Sequence, residues 1–276
     1  MGGTGVIDLH SHSLASDGQF PPAEVAELAR AAGCSVWALC DHDTVDGLEA
    51  AAAAARLVNL RLVPGIELSA FLERHEIHLL GHFVDPTAPS LRDFEDFLAA
   101  QRRERMRLIV RRLAALGVHV TEEAIEATSG GKTIGRPHVA RALVESGAVA
   151  TVKEAFDRFL GEGKPAYVQR YRLEAVDAVD LVRGAGGTVT IAHPGVSRLE
   201  VGEVARLAAA GVVGIEVIHP DQNPSVREKY QRAADAHGLV CTAGSDFHGP
   251  AVSPDRQLGM VTMTSEALAA LERRRP

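Results

Sequence analysis

The sequence is poor in cysteine and in aromatic residues, and it lacks any long apolar run. It has three cysteines, and 4% of its 276 residues are aromatic. An odd cysteine count without C-x-x-C spacing argues against a disulfide framework and favours a reducing compartment. No stretch approaches the roughly 20 apolar residues that span a bilayer, and the N-terminal MGGTGVIDLH has no basic stretch before an apolar one. We therefore expect a cytoplasmic protein without a signal peptide or a membrane partner.

An excess of positive charge is also missing. The formal net charge of −7 argues against nonspecific nucleic-acid binding, including binding to duplex DNA, because such binding needs a basic surface. The charge leaves room for a small phosphorylated ligand, because metal ions and a few arginines can reverse the sign inside one cleft. An apolar share of 46% is sufficient for a sizeable core. No obligate protein partner is evident in the sequence.

Apolar segments alternate with amphipathic ones in the first third of the chain. Strands are predicted at 5–10, 35–43, 61–68 and 75–84, with helices after the first two, at intervals that suit a parallel sheet. From about residue 96 to 165 the pattern is mostly helical, with a Gly-rich break at TSGGKTIGRPH, and the alternation then returns. We predict an α/β barrel-like domain formed by residues 1–95 and 166–276, with a helical insertion at 96–165.

The first predicted strand runs into two histidines. His10 and His12 are two positions apart, so on an extended chain both can point at one metal ion. Imidazole and carboxyl groups also follow most other predicted strands, where the loops of parallel α/β folds converge, and we place Glu67 at the end of the third strand. Alone, each such residue is commonly a cap or a packing residue, but together they indicate a metal site. The other candidates are Asp17, His42, Asp43, His78, His82, His193, His219, Asp246 and His248.

Six segments resemble the motifs of the PHP (polymerase and histidinol phosphatase) family. They follow one another in the family's order from residue 6 to about 250. The resemblance implies a distorted (β/α)7 barrel that holds up to three metal ions, and it implies phosphoester hydrolysis. The segments are DLHSHSLASDG, CDHDTVDG, PGIELSA, IHLLGHFVD, IAHPG and AGSDFHG.

The resemblance also implies three groups of metal ligands. Glu67 would bridge the first ion to the second, and catalytic roles would fall to Glu67, His193 and Asp246. The first ion would be held by His10, His12 and Asp246, the second by Glu67, His78 and His193, and the third by Asp17, His42 and His248.

The ligand types bear on the metal. Asp17 stands where some relatives have a histidine, and this harder ligand favours Mn²⁺, with Zn²⁺ or Fe²⁺ as alternatives. Two adjacent ions can activate a water and orient a phosphoryl group. We expect His82 to orient a ligand, with packing as the alternative. Asp43 and His219 are candidate proton donors at the rim of the site.

An arginine-rich helix in the predicted insertion bears on the substrate. At about 100° per residue, Arg102 and Arg105 fall on the apolar side of this helix, whereas Arg103, Arg107 and Arg111 fall opposite. A core-facing arginine needs an anionic partner, either a substrate phosphate or a nearby carboxylate. GRPH and GKPAYV are similar to segments of PHP phosphoesterases that act on nucleoside 3′,5′-bisphosphates. The predicted substrate-binding residues are Arg102, Arg105, Arg136, Lys164 and His219.

These features predict a metal-dependent phosphoesterase. It would remove the 3′-phosphate of a nucleoside 3′,5′-bisphosphate or trim short 5′-phosphorylated RNA. The first alternative is a histidinol-phosphate phosphatase, although an amine substrate would favour carboxylates where this chain has arginines. The second is a metal-dependent amidohydrolase, which usually has a strand-end lysine in the bridging role that Glu67 would fill in this chain. The third is a structural PHP module that lacks activity.

Overall fold

The computed structural model describes residues 5–129 and 135–276, so the predicted Gly-rich break lies partly outside the described residues. Over these ranges the chain has an α/β fold with ten α-helices, one π-helical segment and a mostly parallel sheet of eight strands. The strands are β1 (Val6–Asp8), β2 (Cys34–Leu39), β3 (Arg61–Leu72), β4 (His75–His82), β5 (Leu173–Glu174), β6 (Thr188–Ile191), β7 (Gly214–Ile218) and β8 (Val240–Ala243).

The helices alternate with the strands in the first and last parts of the chain and follow one another in the middle. The π-helical segment is Phe156–Leu160. The α-helices are α1 (Pro22–Ala31), α2 (Leu48–Leu57), α3 (Pro89–Ala115), α4 (Glu122–Ser129), α5 (Arg136–Glu145), α6 (Val152–Ala155), α7 (Ala175–Gly184), α8 (Val201–Ala209), α9 (Pro224–His237) and α10 (Ser265–Glu272).

Local signals set several of the helix ends. The helix α9 begins after Asn223, whose side chain accepts a hydrogen bond from the backbone N–H of Val226 at 3.1 Å. It ends at Gly238, which adopts a left-handed backbone with a φ of 65° that favours glycine. Because α9 follows β7 and precedes β8, these caps fix where the chain re-enters the sheet.

The sheet follows the order β1-β2-β3-β4-β6-β7-β8, with β5 paired to β3. The expectation of parallel pairing is wrong for β4, which runs antiparallel to both β3 and β6. Only Glu73 and Arg74 separate β3 from β4, and so short a connection closes a hairpin, whereas parallel pairing needs a long crossover.

Backbone hydrogen bonds also join the segment after β1 to the end of β8. The N–H of Leu9 donates to the carbonyl of Ala243 at 3.1 Å, and the N–H of His12 donates to the carbonyl of Phe247 at 2.8 Å. The N–H of Asp246 donates to the carbonyl of His10 at 2.9 Å. These bonds bring the ends of the first and last strands side by side.

The chain divides into two compact units. The first runs to Arg92 and resumes at Arg172, and the second is Asp93–Tyr171. The first has a core that includes Ile7, Val63 and Leu80, and the second has its own core of helix side chains. Within the described ranges, no helix combines the length and apolar character needed to cross a bilayer.

Candidate metal centre

The nine predicted ligands all lie in the first unit and form one cluster. His10 and His12 follow β1, and His42 follows β2. The expectation that Glu67 ends its strand is wrong, because β3 continues to Leu72 in the hairpin with β4, so Glu67 lies inside the strand. His78 lies within β4, and the last three, His193, Asp246 and His248, follow β6 and β8.

Glu67 lies at the centre of this cluster. Its Oε2 lies 3.3 Å from Nε2 of His10, 3.2 Å from Nε2 of His12 and 3.2 Å from Nδ1 of His42. Its Oε1 lies 2.8 Å from Nδ1 of His78 and 3.1 Å from Nε2 of His193. One buried carboxylate therefore contacts five imidazoles, three through one oxygen and two through the other.

The four groups expected around the first ion are brought together. Nε2 of His10 and Nε2 of His12 lie 3.1 Å apart, and Oδ1 of Asp246 lies 3.5 Å and 3.2 Å from them. With Glu67, these residues have ligand atoms within 4.8 Å of one another. Such convergence of nitrogen and carboxylate oxygen atoms suits a divalent cation.

The other two groups differ in detail from the expected sets. His42, Glu67 and His78 have ligand atoms within 4.8 Å of one another, while His193 contacts Glu67 as described. The third group contains the expected Asp17, His42 and His248, together with His12. Its distances are 3.3 Å between Asp17 and His248 and 3.8 Å between Asp17 and His42.

Unsatisfied buried atoms test whether the cluster fits metal ions. Nδ1 of His12, Nδ1 of His42, Oε2 of Glu67 and Nδ1 of His193 are buried and have no hydrogen-bond partner. Leaving a buried polar atom unpaired is costly. Oε2 of Glu67 and Nδ1 of His42 lie 3.2 Å apart, and a cation bound by both would satisfy both, so these residues fit divalent metal.

The pKa values within the cluster also suit a divalent cation. Burial opposes the charged form of Glu67, yet the histidines around it, His42 and His78 foremost, hold its pKa well below the usual value. Burial lowers the pKa of His42 to about 4, so this imidazole is neutral and able to donate a lone pair. Burial also opposes protonation of His12, but the carboxylates of Asp246 and Glu67, each 3.2 Å from its Nε2, raise its pKa to about 10. Without a cation, this site thus favours a proton on His12 between the two carboxylates.

Two ligand positions have unusual backbone conformations. His193 has a φ of 24° and Asp246 a φ of 51°, both in the left-handed region that non-glycine residues rarely occupy. Such conformations persist only where the surroundings enforce them, and they concentrate at functional sites.

Comparisons with known proteins identify the family. A model of the PHP domain matches residues 8–165. The chain belongs to the PHP domain family. The match ends before His193, Asp246 and His248, so the structure adds three members of the cluster that lie outside the matched residues.

The relatives of this PHP chain extend over most of its length. A 3′,5′-nucleoside bisphosphate phosphatase from Chromobacterium violaceum is 39% identical over 251 residues, which cover 88% of this chain and 87% of that protein. The 5′-3′ exoribonuclease Rnm of Salmonella typhimurium is 35% identical over 251 residues, covering 89% and 86%. A solved structure from Chromobacterium violaceum, described as an amidohydrolase with bound sulfate and no metal, has a TM-score of 0.76 and 36% identity, covering 97% of this chain and 96% of that one.

Glu216 is a member of the PHP centre that the sequence reasoning missed. It is 1% exposed in β7, and its Oε1 lies 3.1 Å from Nδ1 of His10. Its Oε2 accepts the backbone N–H of His193 at 2.8 Å. The carboxylate therefore fixes the His10 tautomer that leaves Nε2 facing Glu67. A signal was present, because a glutamate inside the apolar strand GIEVI has to be paired if it is buried.

Asp246 is held on the side that faces away from His10 and His12. Nε2 of His219 lies 3.4 Å from its Oδ2, and Arg256, which sequence reasoning also missed, contacts the same oxygen. The expectation that His219 lies at the rim is wrong, because its side chain is fully buried. Asp221 donates its backbone N–H to Nδ1 of His219 at 3.1 Å, so the other ring nitrogen carries the proton toward Asp246. These contacts leave Oδ1 of Asp246 facing His10 and His12.

His82 acts on the backbone beside the ligands. Its Nε2 lies 2.9 Å from the carbonyl oxygen of Leu9, the residue before His10. Burial lowers the pKa of His82 to about 4, so the ring is a neutral donor. The ring thus donates to the residue that links β1 to His10, and the orienting role expected of His82 stays a prediction.

The predicted phosphate-binding arginines lie in the second unit. Arg102, Arg105 and Arg136 line one small pocket with Gly135. Nε of Arg105 donates to the carbonyl of Val168 at 2.8 Å, and Nη1 of Arg136 donates to the carbonyl of Leu160 at 3.1 Å. Lys164 is exposed in the turn after the π-helical segment.

The guanidinium of Arg105 is half-buried and lies near other arginines. Burial first, and then the charges of Arg136, Arg170 and Arg102, lower the pKa of Arg105 to about 10. By contrast, the exposed Arg107 pairs with Glu122 at 3.3 Å, and Arg111 pairs with Glu104 at 2.9 Å. Arg102 and Arg105 are half-buried, whereas Arg103, Arg107 and Arg111 are exposed, as the helical period predicts.

Proposed function

We propose that this chain is a metal-dependent phosphoric ester hydrolase that removes the 3′-phosphate of nucleoside 3′,5′-bisphosphates. The same activity would release nucleotides from short 5′-phosphorylated RNA. The contacts of Glu67 with five imidazoles carry the proposal, because a bridging carboxylate among histidines is the ligand set of adjacent divalent cations. Relatives named as a bisphosphate phosphatase and as an exoribonuclease support the substrate class.

We propose up to three divalent cations, with Mn²⁺ favoured and Zn²⁺ or Fe²⁺ as alternatives. Their ligands would be the nine predicted residues, and Glu67, His193 and Asp246 would have catalytic roles. When bound, such ions lower the pKa of a water and neutralise phosphoryl oxygens. The carboxylate of Asp17 supports manganese over zinc, because it adds an oxygen ligand to the imidazoles.

The chain's own residues would prepare this chemistry. Glu216 and His219 hold His10 and Asp246 so that their ligand atoms converge without rearrangement when substrate arrives. We propose that Arg102, Arg105 and Arg136 bind the phosphate that is not hydrolysed, with Lys164 as a weaker candidate. The surroundings of Arg105 support this role, because burial and neighbouring arginines disfavour its charged form and a bound anion would favour it.

We propose the finer architecture on the same basis. The hydrogen bonds between the segments after β1 and β8 support closure of the sheet into a distorted (β/α)7 barrel. The compact unit Asp93–Tyr171 supports a helical insertion close to the predicted 96–165. A cytoplasmic location rests on the cysteine pattern of the sequence.

The alternatives have less support. A histidinol-phosphate phosphatase would bind an amine, whereas the second unit gathers arginines. An amidohydrolase, as one structural relative is described, would favour a lysine where this cluster has Glu67. Sulfate is bound in that same relative, and sulfate is an analogue of phosphate.

The test is phosphate release from adenosine 3′,5′-bisphosphate by protein reconstituted with Mn²⁺. Wild-type enzyme should release one phosphate per substrate, and Glu67→Gln should lower the rate by at least about a hundredfold, because the charge that binds the cations is lost. Glu228→Gln, on the exposed face of α9, is the matched control. Absence of phosphate release together with rapid turnover of histidinol phosphate would overturn the proposed substrate.

A further inference from the structure

Asp41 lies beside the metal cluster without belonging to it. Its side chain is 2% exposed. Oδ1 accepts the backbone N–H of Ser13 at 2.7 Å and the hydroxyl of Ser16 at 2.6 Å, and Oδ2 accepts the hydroxyl of Ser13 at 2.7 Å. One buried carboxylate thus holds three donors of a single short loop.

The loop Ser13–Gly18 contains Asp17, the most exposed of the nine proposed ligands. The Asp17 side chain is 54% exposed, whereas the His12 and Glu67 side chains are 0% and 1% exposed. The backbone N–H of Gly18 donates to the carbonyl of Ser13 at 2.8 Å, so the loop closes on itself. An exposed side chain on a short loop would sample many positions unless buried groups held the loop in place.

The backbone of Asp41 connects this loop to the rest of the cluster. Its carbonyl accepts the N–H of Glu67 at 3.1 Å, and its neighbour His42 forms an isolated β-bridge with Glu67. Asp41 therefore helps to position three ligands. Its side chain holds the loop of Asp17, its backbone continues into His42, and its carbonyl oxygen accepts the N–H of Glu67.

We propose that Asp41 is a positioning residue that completes the cation site formed by Asp17, His42 and His248. This inference rests on the proposed function, because it assumes that the cluster binds divalent cations. The hydrogen bonds that Ser13 and Ser16 donate to Asp41 hold the loop so that Asp17 lies 3.3 Å from Nε2 of His248 in advance of metal binding. Replacement of the Asp41 side chain should loosen the loop and lower the cation affinity of this one site. The two sites around Glu67 should keep their cation affinity.

The experiment measures the number of Mn²⁺ ions bound per chain by elemental analysis at a fixed free Mn²⁺ concentration. Titration of metal-free protein with Mn²⁺ then gives the affinity of each site. Asp41→Ala should hold one ion fewer than wild type, or bind that ion roughly 10–100-fold more weakly. Asp17→Ala should show the same loss, and the double variant should lose no more, since both residues act on one site. Asp46→Ala, an exposed aspartate five positions along the chain, is the control for loss of charge and should keep the wild-type ion count.

A second measurement separates failure of this inference from failure of the proposed function. In metal-free protein, hydrogen exchange of residues 13–18 should be faster in Asp41→Ala than in wild type. The Ser13→Ala/Ser16→Ala variant keeps Asp41 but removes two of its hydrogen-bond donors, and it should show the same faster exchange. It replaces Asp41→Ala in this test if Asp41→Ala does not fold. Unchanged exchange and an unchanged ion count would overturn the role of Asp41, and so would additive losses in the double variant. Wild-type protein that binds no divalent cation would instead overturn the proposed function, with the exchange rates still deciding whether Asp41 fixes the loop.

Discussion

Nδ1 of His10 lies 3.1 Å from Oε1 of Glu216, and the two residues are 206 positions apart in the chain. Both side chains are buried. Burial opposes ionisation of Glu216, but His10 nearby lowers the pKa of this carboxyl below its usual value. A charged acceptor on one ring nitrogen makes the other a stronger and better oriented ligand.

Replacing Glu216 should therefore weaken metal binding. Glu216→Gln keeps the shape of the side chain but loses the charge, and we expect the affinity for Mn²⁺ to fall about 10–100-fold. Calorimetric titration of metal-free protein measures this change, with Glu228→Gln as the control. Equal Mn²⁺ affinity in Glu216→Gln and wild type would contradict the orienting role.

Buried His82 should make stability depend on pH. Its folded-state pKa is about 4, whereas an unfolded histidine titrates near 6.5. The unfolded chain therefore takes up this proton first, and the stability that neutral His82 provides is full above pH 6.5 and is lost as the pH falls toward 4. At pH 5 the loss is about 2 kcal/mol.

Comparison of wild type with a variant whose residue 82 cannot titrate should isolate this loss of stability. Between pH 7.5 and 5.0, wild-type protein in chelator should lose about 2 kcal/mol more unfolding free energy than His82→Gln. Urea unfolding at each pH gives these values, and His119→Gln, at an exposed position, should follow wild type. Parallel pH curves for wild type and His82→Gln would rule out a neutral buried imidazole.

The arginine group of the second unit should control substrate affinity rather than the chemical step. Arg105→Gln removes one charged donor, so KM for adenosine 3′,5′-bisphosphate should rise at least about tenfold, while kcat changes less than about threefold. Arg107→Gln on the same helix is the control, because Arg107 is exposed and paired with Glu122. If both variants gave the same kinetics, the inner arginines would have no specific role in binding.

Divalent metal should stabilise the fold. At a free concentration 100 times its dissociation constant, a ligand that binds only the folded state adds about 2.7 kcal/mol per site. Mn²⁺ should therefore raise the midpoint of thermal unfolding, chelator should reverse the gain, and Glu67→Gln should lose most of it. Differential scanning calorimetry measures each midpoint. A wild-type midpoint that does not respond to Mn²⁺ would argue against a metal centre.

Sequence patterns with a fixed period determined which face of an element several key side chains occupy. The spacing of His10 and His12 placed both imidazoles on one side of an extended chain, and the structure brings their Nε2 atoms to 3.1 Å from each other. The helical period separated Arg105 from Arg107 and Arg111 in the same way. Such patterns predict the face of a helix or strand on which a side chain lies, because the repeat of the local backbone alone determines that face.

Only the tertiary structure decided which distant groups meet on that face. The two-residue connection after β3 reversed the direction of β4, and Glu67 lies inside the resulting hairpin. The fold also brought the side chain of Glu216 in β7 to His10, which follows β1. The fold likewise brought Arg256 to Asp246 and the carboxylate of Asp41 to the loop that contains Asp17. Whether a buried charge is tolerated depends on the partner that the fold supplies, and that partner has no fixed distance along the chain.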